Sequence, residues 1–567
     1  MGNKTTLVKL YLFAFLCFLQ ASIGNAQDTI KVNPSSPGIK IPDDFTGMAY
    51  ESDALHFDSL KPTNHTLVQY FKTAGVKTFR LGGNSVEYYK YNPTSTKKYP
   101  ADTVTNAELD SLFKFAAAVG CKIILGLDFG GYFNPNLASN EVSYVMAHYS
   151  QWVLAFEIGN EPNLYYRNSL RTPAYTYDSF QIQFMQYVDT IRKYTPNAPI
   201  CGPSAARLQA ALYTDPFVHY MYLNHGIINL LTQHNYSVPK GMPTSMEIDS
   251  LLSHYTIDSI RDLTETLVKQ ADSDGVPFQM DESNALYNGG QWRVSTSLAT
   301  ALWSLDYMFT IAKAGANGLN FHTTYDTNAT IINDLSGNYS ARAPFYGIVA
   351  FQVGSKGRFI PDNLIGTPNN LDIFPVIDSV NDVFVTLINK DTLNPVQLEL
   401  YADSTKYFTG QYITLTAPTV SDTFNITLGG SPITPAGTWI SGPWTNASAS
   451  HGYFPLTIPH ATALIIKLNG PTLGIDELRT KGAEVSVYPN PNNGIFSVVC
   501  HSERSEESLP IIEIYNALGQ SVLSETLRSA QGDNLIDLSN QPSGLYLFRI
   551  IDENGSVISN GKFVIEK

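Results

Sequence analysis

The chain has 567 residues and a formal net charge of −14, from 36 lysines and arginines against 50 acidic residues. Its length allows three or four domains, or one large barrel with additions. The hydrophobic content of 43% excludes wholesale disorder. The acidic balance disfavours nucleic acid and anionic membranes as partners, because both attract clustered cations.

The N-terminus predicts a secretory signal peptide over residues 1–26. A positively charged start precedes the apolar run Leu10–Leu19, and small residues follow as far as a cleavage point after Ala26. The apolar run is too short to span a bilayer comfortably. We therefore expect no transmembrane anchor in the mature chain.

Strand-like and helical segments alternate between residue 46 and about residue 325. This alternation predicts an α/β fold, a (β/α)8 TIM barrel, in which both faces of each strand are covered. A doubly wound open sheet is the alternative, but no Gly-rich phosphate loop opens a helix. The predicted strands are Thr46–Glu51, Val76–Leu81, Lys122–Asp128, Trp152–Gly159, Pro199–Gly202, Ile227–His234, Pro277–Asp281 and Gly318–His322. The predicted helices are Ala107–Val119, Asp178–Tyr194, Met246–Gln270 and Trp292–Ala314.

Short alternating segments after the barrel predict an antiparallel β-sandwich. Its predicted strands are Asp382–Asn389, Val396–Tyr401, Phe424–Leu428 and Ala461–Leu468. A strand-like stretch before the barrel is expected to join this sandwich. The predicted organisation is a signal peptide (1–26), strands joining the sandwich (27–45), the barrel (46–352), the sandwich (353–470), a polar linker (471–484) and a small all-β C-terminal domain (485–567).

The C-terminal domain carries three recognisable segments. It opens with Tyr488-Pro489-Asn490-Pro491, continues through a Tyr-Asn-x-x-Gly-Gln turn, and includes a Pro-Ser-Gly-Leu-Tyr segment. These features resemble the C-terminal sorting domain of the type IX secretion system. The resemblance implies that secretion machinery is a partner, and that the protein is secreted or attached to the exterior of a bacterial outer membrane. The charged insertion His501–Ser508 departs from the pattern and is interpreted as a solvated loop. A carbohydrate-binding sandwich is the alternative.

Two glutamates at predicted strand ends are the strongest catalytic candidates. Glu161 lies in an Asn-Glu-Pro triplet after the fourth strand, and Glu282 closes the seventh. Barrels place reacting groups at the C-terminal ends of their strands. A retaining glycosidase needs two carboxyl groups about 5–5.5 Å apart, one as acid and base and the other as nucleophile. For each of these glutamates, the alternative is a helix cap or a surface acid. Asp281, which precedes Glu282, is expected to face the other side of the strand.

Other strand-end residues could support such a pair. Arg80 could orient a catalytic carboxylate and lower its pKa, or form an ion pair in the barrel core. Tyr236 could hold the nucleophile ionised, or simply pack, and His234 precedes it at the same strand end. Glu51 could bind sugar hydroxyls or be structural. Weaker candidates are Asp128 and His322. No group of residues has metal-ligand spacing, so we predict no metal or cofactor.

Five segments occur in a characteristic order. They are F-R-L-G-G-N (79–84), E-I-G-N-E-P (157–162), Q-H-N-Y (233–236), D-E-S-N (281–284) and A-P-F-Y-G (343–347). Together they resemble the clan A retaining glycoside hydrolases, and most closely glycoside hydrolase family 79, the β-glucuronidase and heparanase family. The resemblance covers residues 30–470. It implies cleavage of a terminal β-linked uronic acid by double displacement, with Glu161 as acid/base, largely protonated at working pH, and Glu282 as the ionised nucleophile.

The same resemblance implies how the substrate is bound. Tyr287, a backbone N–H at Gly289, and Tyr325 would hold the uronate carboxylate through donors that add no net charge. The residues that match sugar contacts of the family are Asn84, Asn160 and Tyr236. Asp281 before the nucleophile and Asn284 after it depart from the family pattern, which leaves the exact substrate open.

Alternative functions remain at this point. One is a clan A glycosidase for a neutral sugar, such as a xylosidase, arabinofuranosidase or glucanase. Another is a non-catalytic glycan-binding surface protein. An endo-acting heparanase is less expected, because no dense Lys/Arg patch flanks the motifs. In every case the expected partner is a glycan or glycoconjugate.

Overall fold

The computed structural model describes residues 28–567 apart from positions 58, 97–101, 208–209, 288, 324–327, 334–337, 367, 369, 471–482, 503–509, 528–530 and 552–556. The predicted signal peptide, most of the predicted linker and most of the charged insertion lie outside the described residues. The chain divides into two compact units, Met1–Pro471 and Thr472–Lys567. Among the described residues, no helix has the length and apolarity needed to cross a membrane.

The first unit contains a closed barrel of parallel strands, which confirms the predicted TIM barrel. Nearly every strand residue is buried, since the inner face of each strand meets the barrel interior and the outer face meets helices. The eight strands are Thr46–Glu51, Thr78–Gly82, Lys122–Leu127, Val153–Ile158, Ile200–Ala206, Leu230–Val238, Phe278–Leu286 and Gly318–Thr323.

The helices around the barrel begin and end at local signals. In the helix Asn106–Val119, the Thr105 hydroxyl accepts from the Glu108 N–H while the Glu108 carboxylate accepts from the Thr105 N–H, and Gly120 ends the helix with φ 86°. The α-helices of this unit are His65–Thr73, Asn106–Val119, Pro135–Tyr149, Tyr177–Tyr194, Ala210–Leu223, Thr244–Leu251, His254–Asp274, Leu298–Lys313 and Ala343–Gly354. Short 3-10 helices are Ser52–Phe57, Asn84–Tyr88, Ser150–Trp152 and Pro162–Leu164. Two small ribbons pair Lys90–Tyr91 with Thr103–Val104 and Ile331–Asn333 with Tyr339–Ala341.

Two helix predictions were wrong in extent. The predicted helix Met246–Gln270 is interrupted, because Ser253 takes an extended backbone and its hydroxyl caps a new helix at the Thr256 N–H. The predicted helix Trp292–Ala314 begins only at Leu298. The residues before it form a turn in which Arg293 has φ 66°, a left-handed conformation that a helix cannot include.

The sandwich consists of two sheets and includes the N-terminal strand. Asp28–Val32 pairs antiparallel with Asp362–Ile365 and parallel with Val396–Tyr401, and Tyr453–Ile458 completes that sheet. The predicted strand Phe424–Leu428 is reduced to Thr427–Leu428. The other sheet contains Arg358–Phe359, Leu371–Ile377, Val383–Asn389, Thr462–Leu468, Thr409–Thr416, Thr427–Leu428 and Thr445–Ser448.

The barrel and the sandwich share one packed core. Phe309 of a barrel helix stacks on Phe374 of the sandwich with ring centroids 4.9 Å apart. Beside these rings, the buried ammonium group of Lys390 donates to the Asp306 carboxylate at 2.8 Å and also pairs with Asp372. This shared core fixes the barrel against the sandwich and leaves the C-terminal ends of the barrel strands to form the site.

The second unit consists of two antiparallel sheets around a small apolar core. Phe496 and Phe563 pack at its centre with ring centroids 4.3 Å apart. One sheet contains Ala483–Tyr488, Ile495–Ser502 and Gln531–Asp537. The other contains Ser521–Thr526, Ile511–Asn516, Gly544–Ile551 and Val557–Ile565.

Candidate active site

A cavity of about 710 Å³ opens at the C-terminal ends of the barrel strands. This volume lies in the range of small-molecule sites. The sequence-predicted residues that line it are Glu51, Asn84, Glu161, His234, Tyr236, Glu282, Tyr287, Gly289 and His322. Most of the candidate residues therefore meet in one place, as the strand-end argument requires.

Glu161 and Glu282 approach each other from the fourth and the seventh strand. One carboxylate oxygen of each, together with a ring nitrogen of His234, forms a group whose members all lie within 4.8 Å of one another. This upper limit on the distance between one oxygen of each carboxylate is compatible with the 5–5.5 Å of retaining glycosidases and lies below the 6.5–9.5 Å of inverting ones. Glu161 has a left-handed backbone with φ 49°, and its N–H donates to the Ser204 carbonyl at 3.0 Å. Such strain in a non-glycine residue is typical of functional sites.

Arg80 lies beneath the two glutamates and is completely buried. Its Nε donates to Glu157 Oε2 at 2.7 Å and its Nη1 donates to Glu282 Oε2 at 2.5 Å. Its Nη2 donates to Asn160 Oδ1 at 2.8 Å, next to the acid/base candidate in the chain. Arg80 therefore pairs with Glu157 in the barrel core and also with Glu282, the nucleophile candidate.

The surroundings of Glu282 favour its carboxylate form. Burial raises the pKa of this carboxyl, but interactions with three neighbouring basic side chains outweigh burial and hold the pKa well below its usual range. In order of effect these groups are His322, His234 and Arg80. The Tyr236 hydroxyl adds to the effect by donating to Glu282 Oε1 at 2.8 Å. Glu282 is thus ionised and held at both oxygens.

His234 connects the two glutamates. Its Nδ1 lies 3.1 Å from Glu161 Oε1 and 3.8 Å from Glu282 Oε2. Burial lowers the pKa of His234, but the charges of Glu282 and Asp281 raise it to about 9. At neutral pH the imidazole is therefore a cation that donates to Glu161, which leaves Oε2 of Glu161 as the oxygen to face a substrate.

The expectation that Asp281 faces the other side of the strand from Glu282 was wrong. The pairing of the seventh strand with both neighbours shifts register between Met280 and Ser283, which marks a β-bulge. The bulge turns Asp281 inward beside Glu282, where it accepts from the Ser204 hydroxyl at 3.1 Å and lies 3.6 Å from His234 Nε2. Burial, and after it the charge of Glu157, raise the pKa of Asp281 to about 8.

Sequence reasoning missed Glu87, a buried carboxyl on a short 3-10 helix. It accepts the N–H groups of Phe129 at 2.9 Å and Asn160 at 2.8 Å, that of Gly130, and the Tyr165 hydroxyl. The Glu87 carboxylate thereby holds together the segments that follow the third and the fourth strand, including Asn160, the residue before Glu161. Asp128 is not among the residues that line the cavity; it accepts from the N–H groups of Gly131 and Tyr132.

Glu51 and Asn84 lie on the wall formed by the first and second strands. Glu51 accepts the Ser85 N–H at 2.8 Å and lies 3.6 Å from His322 Nε2. Gly83 permits this approach, because it has φ 71° and a Cβ there would come within 2.4 Å of the Glu51 carboxylate. Asn84 Oδ1 accepts from the Asn160 amide at 3.3 Å.

The loop after the seventh strand forms another wall. Tyr287 is partly exposed, with 41% of its surface accessible, and it lines the cavity with Gly289. Gly290 has φ 70°, and a Cβ there would come within 2.2 Å of the Asn328 side chain. The Asn328 amide donates to the Leu286 carbonyl at 2.5 Å and fixes the loop. Asn328 has no motif that could have revealed it, and the predicted Tyr325 lies outside the described residues.

Two trios of side chains have ligand atoms within 4.8 Å of one another: Glu157, His234 and Asp281, and Glu161, His234 and Glu282. Arg80 already supplies positive charge to both trios. It donates to both oxygens of Glu157 and to Oε2 of Glu282. Arg80 thus pairs with one carboxylate of each trio.

Two parts of the chain match known families. Residues 71–308 match the N-terminal domain of glycosyl hydrolase family 79, and residues 486–566 match the secretion system C-terminal sorting domain. A β-glucuronidase from Aspergillus niger is 25% identical over 321 residues, which are 50% of this chain and 58% of that protein. The chain therefore spans little more than half the length of this relative.

Solved structures share the architecture. A 4-O-α-L-rhamnosyl-β-D-glucuronidase from Fusarium oxysporum 12S is 18% identical with a TM-score of 0.65, covering 78% of this chain and 100% of that one. The family 51 α-L-arabinofuranosidase AbfB from Bifidobacterium longum is 13% identical with a TM-score of 0.61, covering 78% and 99%. At these identities the likeness is one of fold.

Proposed function

Since its barrel belongs to glycosyl hydrolase family 79, we propose that this chain is a retaining glycoside hydrolase that removes a terminal β-linked uronic acid from a glycan. The observation that carries the proposal is the convergence of the Glu161 and Glu282 carboxylates within 4.8 Å, from separate strands, in one cavity. The similarity to the β-glucuronidase from Aspergillus niger supports the choice of sugar.

The two glutamates take different roles in the proposed reaction. Glu282, held ionised, attacks the anomeric carbon while Glu161 gives its proton to the leaving oxygen, so the glycosidic bond breaks and a glycosyl ester forms on Glu282. Glu161 then takes a proton from water, whose oxygen bonds to the anomeric carbon and displaces Glu282. Each step inverts the anomeric centre, and the product keeps the β configuration.

Recognition of the uronate rests on the loop after the seventh strand. The Tyr287 hydroxyl and the backbone N–H of Gly289 are donors at the cavity wall, and with Tyr325 they would bind a carboxylate without a cation. Asn84, Asn160 and Glu51 on the opposite side would contact the sugar hydroxyls.

The C-terminal domain supports a proposal about location. A sorting domain over residues 486–566 serves export through secretion machinery. We propose that the protein acts outside the cell, secreted or attached to the surface, on a glycan or glycoconjugate.

Hydrolysis of a panel of 4-nitrophenyl glycosides tests the activity. We expect the β-glucuronide to be cleaved with the highest kcat/KM and proton NMR to show the β-anomer as first product. A preference for β-xyloside, α-arabinofuranoside or β-glucoside would contradict the uronate assignment, while first release of the α-anomer would contradict the retaining mechanism.

A further inference from the structure

A further cavity, of about 440 Å³, lies on the β-sandwich. It is formed at one end of three neighbouring strands of the same sheet, Asp28–Val32, Asp362–Ile365 and Val396–Tyr401. Its volume is in the range of small-molecule sites. Among the described residues, none lines both this cavity and the active-site cavity. The proposed reaction therefore makes no use of it, and we call it the sandwich cavity.

The sandwich cavity lies near the end of the barrel that is opposite the active site. Asp362, which lines it, has Oδ1 at 3.5 Å from Nζ of Lys313. Lys313 ends the barrel helix Leu298–Lys313, and the eighth barrel strand begins soon after, at Gly318. A barrel helix returns the chain to the N-terminal ends of the strands, whereas the catalytic glutamates lie at the C-terminal ends. A ligand in the sandwich cavity is therefore bound apart from the reacting groups.

Strand pairing places four polar or aromatic side chains in a row beside this cavity. Lys31 lies opposite Asn363 in one neighbouring strand and opposite Tyr401 in the other. Tyr401 in turn lies opposite Tyr453. The next residue row, which includes Leu400, is buried in the sandwich core. Because successive side chains of a strand point to opposite faces, the row from Asn363 to Tyr453 faces solvent.

The two tyrosines of the row form a joint aromatic surface. The ring centroids of Tyr401 and Tyr453 are 5.2 Å apart. The turn before Tyr453 lies close to this surface, since Gly452 has φ 87° and a Cβ there would come within 3.6 Å of the Tyr401 ring. Aromatic rings offer an apolar face with a polar tip. This combination suits a sugar ring, which has an apolar C–H face and hydroxyl groups at its edge.

The charge that remains available in the sandwich cavity is positive. Two carboxylates line it, and each already has a cationic partner: Asp362 pairs with Lys313, and Asp403 pairs with Lys406 at 2.9 Å. Lys31 is the exposed cation of the row, and within the part of the chain that the structure describes it forms no ion pair. An anionic group is therefore the natural partner for its ammonium group.

The loop beside Lys31 is held in shape before any ligand binds. The Asn33 N–H donates to the Pro361 carbonyl at 2.9 Å. Oδ1 of Asn33 accepts the Ser35 N–H at 3.1 Å, and the ring of Pro34 between them restricts the backbone. Asn363, on the other side of Lys31, adds an amide that can donate and accept. Little ordering of this wall is then needed on binding, which favours affinity.

We propose that the sandwich cavity is a non-catalytic binding site for a carboxylate-bearing glycan chain, with Tyr401 and Tyr453 beneath the sugar rings and Lys31 paired with a carboxylate. An acidic peptide could also pair with Lys31, but extended peptides bind by adding to the edge of a sheet. Asp28–Val32 offers no such edge, because it is paired on both sides. The site holds the protein on a glycan while the barrel acts elsewhere on the same material. Only this anchoring role rests on the proposed function, since binding itself does not need the catalytic pair.

Hydrogen exchange measured by mass spectrometry tests the site separately from the active site. The protein carries Glu282→Ala to prevent hydrolysis, and the ligands are a β-1,4-linked hexamer of glucuronic acid and cellohexaose, which differ only in the oxidation of C6. The acidic hexamer should slow exchange in segments 31–35 and 401–403, with a Kd at this site roughly tenfold or more below that of cellohexaose, the effect of a hydrogen bond to a charged group. Lys31→Gln should remove this difference, and Tyr401→Ala should weaken the binding of both hexamers.

Lys193→Gln and Tyr194→Ala are the matched controls. They alter another exposed pair, in which the Lys193 ammonium lies 5.3 Å from the centre of the Tyr194 ring, and neither residue lines the sandwich cavity. Both controls should leave the Kd values unchanged, and melting temperatures should show that every variant is folded.

Three results would overturn the site. They are unchanged exchange of both segments at millimolar acidic hexamer, equal Kd values for the two hexamers, and equal protection by a hexaglutamate peptide, which would indicate a peptide site. Hydrolysis of 4-nitrophenyl β-glucuronide by the protein without Glu282→Ala separates this inference from the proposed function. Normal hydrolysis without protection would refute the site alone, whereas protection without hydrolysis of any glucuronide would refute the proposed function and its anchoring role but leave the binding site in place.

Discussion

Replacing Glu161 by Gln removes the proton that the leaving group needs but keeps the shape of the side chain. The amide oxygen of Gln can still accept a hydrogen bond from His234 Nδ1, which lies 3.1 Å from the carboxylate. The segment and its bond to the Ser204 carbonyl should therefore stay in place. General acid catalysis contributes roughly 10²- to 10⁴-fold, or about 3–5 kcal/mol of transition-state stabilisation.

The loss should depend on the leaving group. 4-Nitrophenolate leaves with little help from an acid, whereas a sugar alkoxide needs a full proton. Glu161→Gln should therefore lower kcat/KM by roughly 10²- to 10⁴-fold for a glucuronyl disaccharide, and much less for 4-nitrophenyl β-glucuronide. Initial rates on both substrates measure the difference, with the exposed Glu525→Gln as a control that should change neither. An equal loss on both substrates would refute the role of Glu161 as the acid.

Three further variants probe other parts of the site and fold. Tyr287→Phe should lower kcat/KM roughly tenfold or more on 4-nitrophenyl glucuronide but little on the glucoside; equal losses would exclude a carboxylate contact. Glu87→Gln loses the charge that holds the Asn160 N–H, so kcat should fall while KM changes little; a change confined to melting temperature would make Glu87 purely structural. Burial and then Asp128 raise the pKa of Glu141 to about 8, so this carboxyl makes folding less favourable as pH rises from about 4.3 to 8. Glu141→Gln should therefore raise the melting temperature more at pH 8.5 than at pH 5; a gain independent of pH would contradict that cause.

The barrel could be predicted because its strands are apolar runs separated by amphipathic helices. The ends of the strands were harder to predict, because the sixth and seventh strands continue through polar residues to Val238 and Leu286. A prediction based on hydropathy ends each strand where polar residues begin. In this barrel those polar residues are buried because they face one another across the mouth, which only the closed sheet reveals.

The candidate pair was predictable and its surroundings were not. Glu161 and Glu282 stand in short motifs at strand ends, where barrel topology alone brings them near each other. The inward turn of Asp281 depends on a bulge that leaves no trace in the pattern of residues. Glu87 and Asn328 form hydrogen bonds to segments that are distant in the sequence. No local signal distinguishes these two residues from other buried polar residues.

Trapping the covalent intermediate tests the central claim most directly. A 2-deoxy-2-fluoro-β-glucuronyl fluoride should slow the second step more than the first and leave the sugar bound to the enzyme. Mass spectrometry of the digested protein should then find one added fluoroglucuronyl group, on the peptide that contains Glu282 and on that side chain. Attachment to another residue, or full hydrolysis of the reagent by a Glu282→Ala variant, would contradict the assignment of Glu282 as the nucleophile.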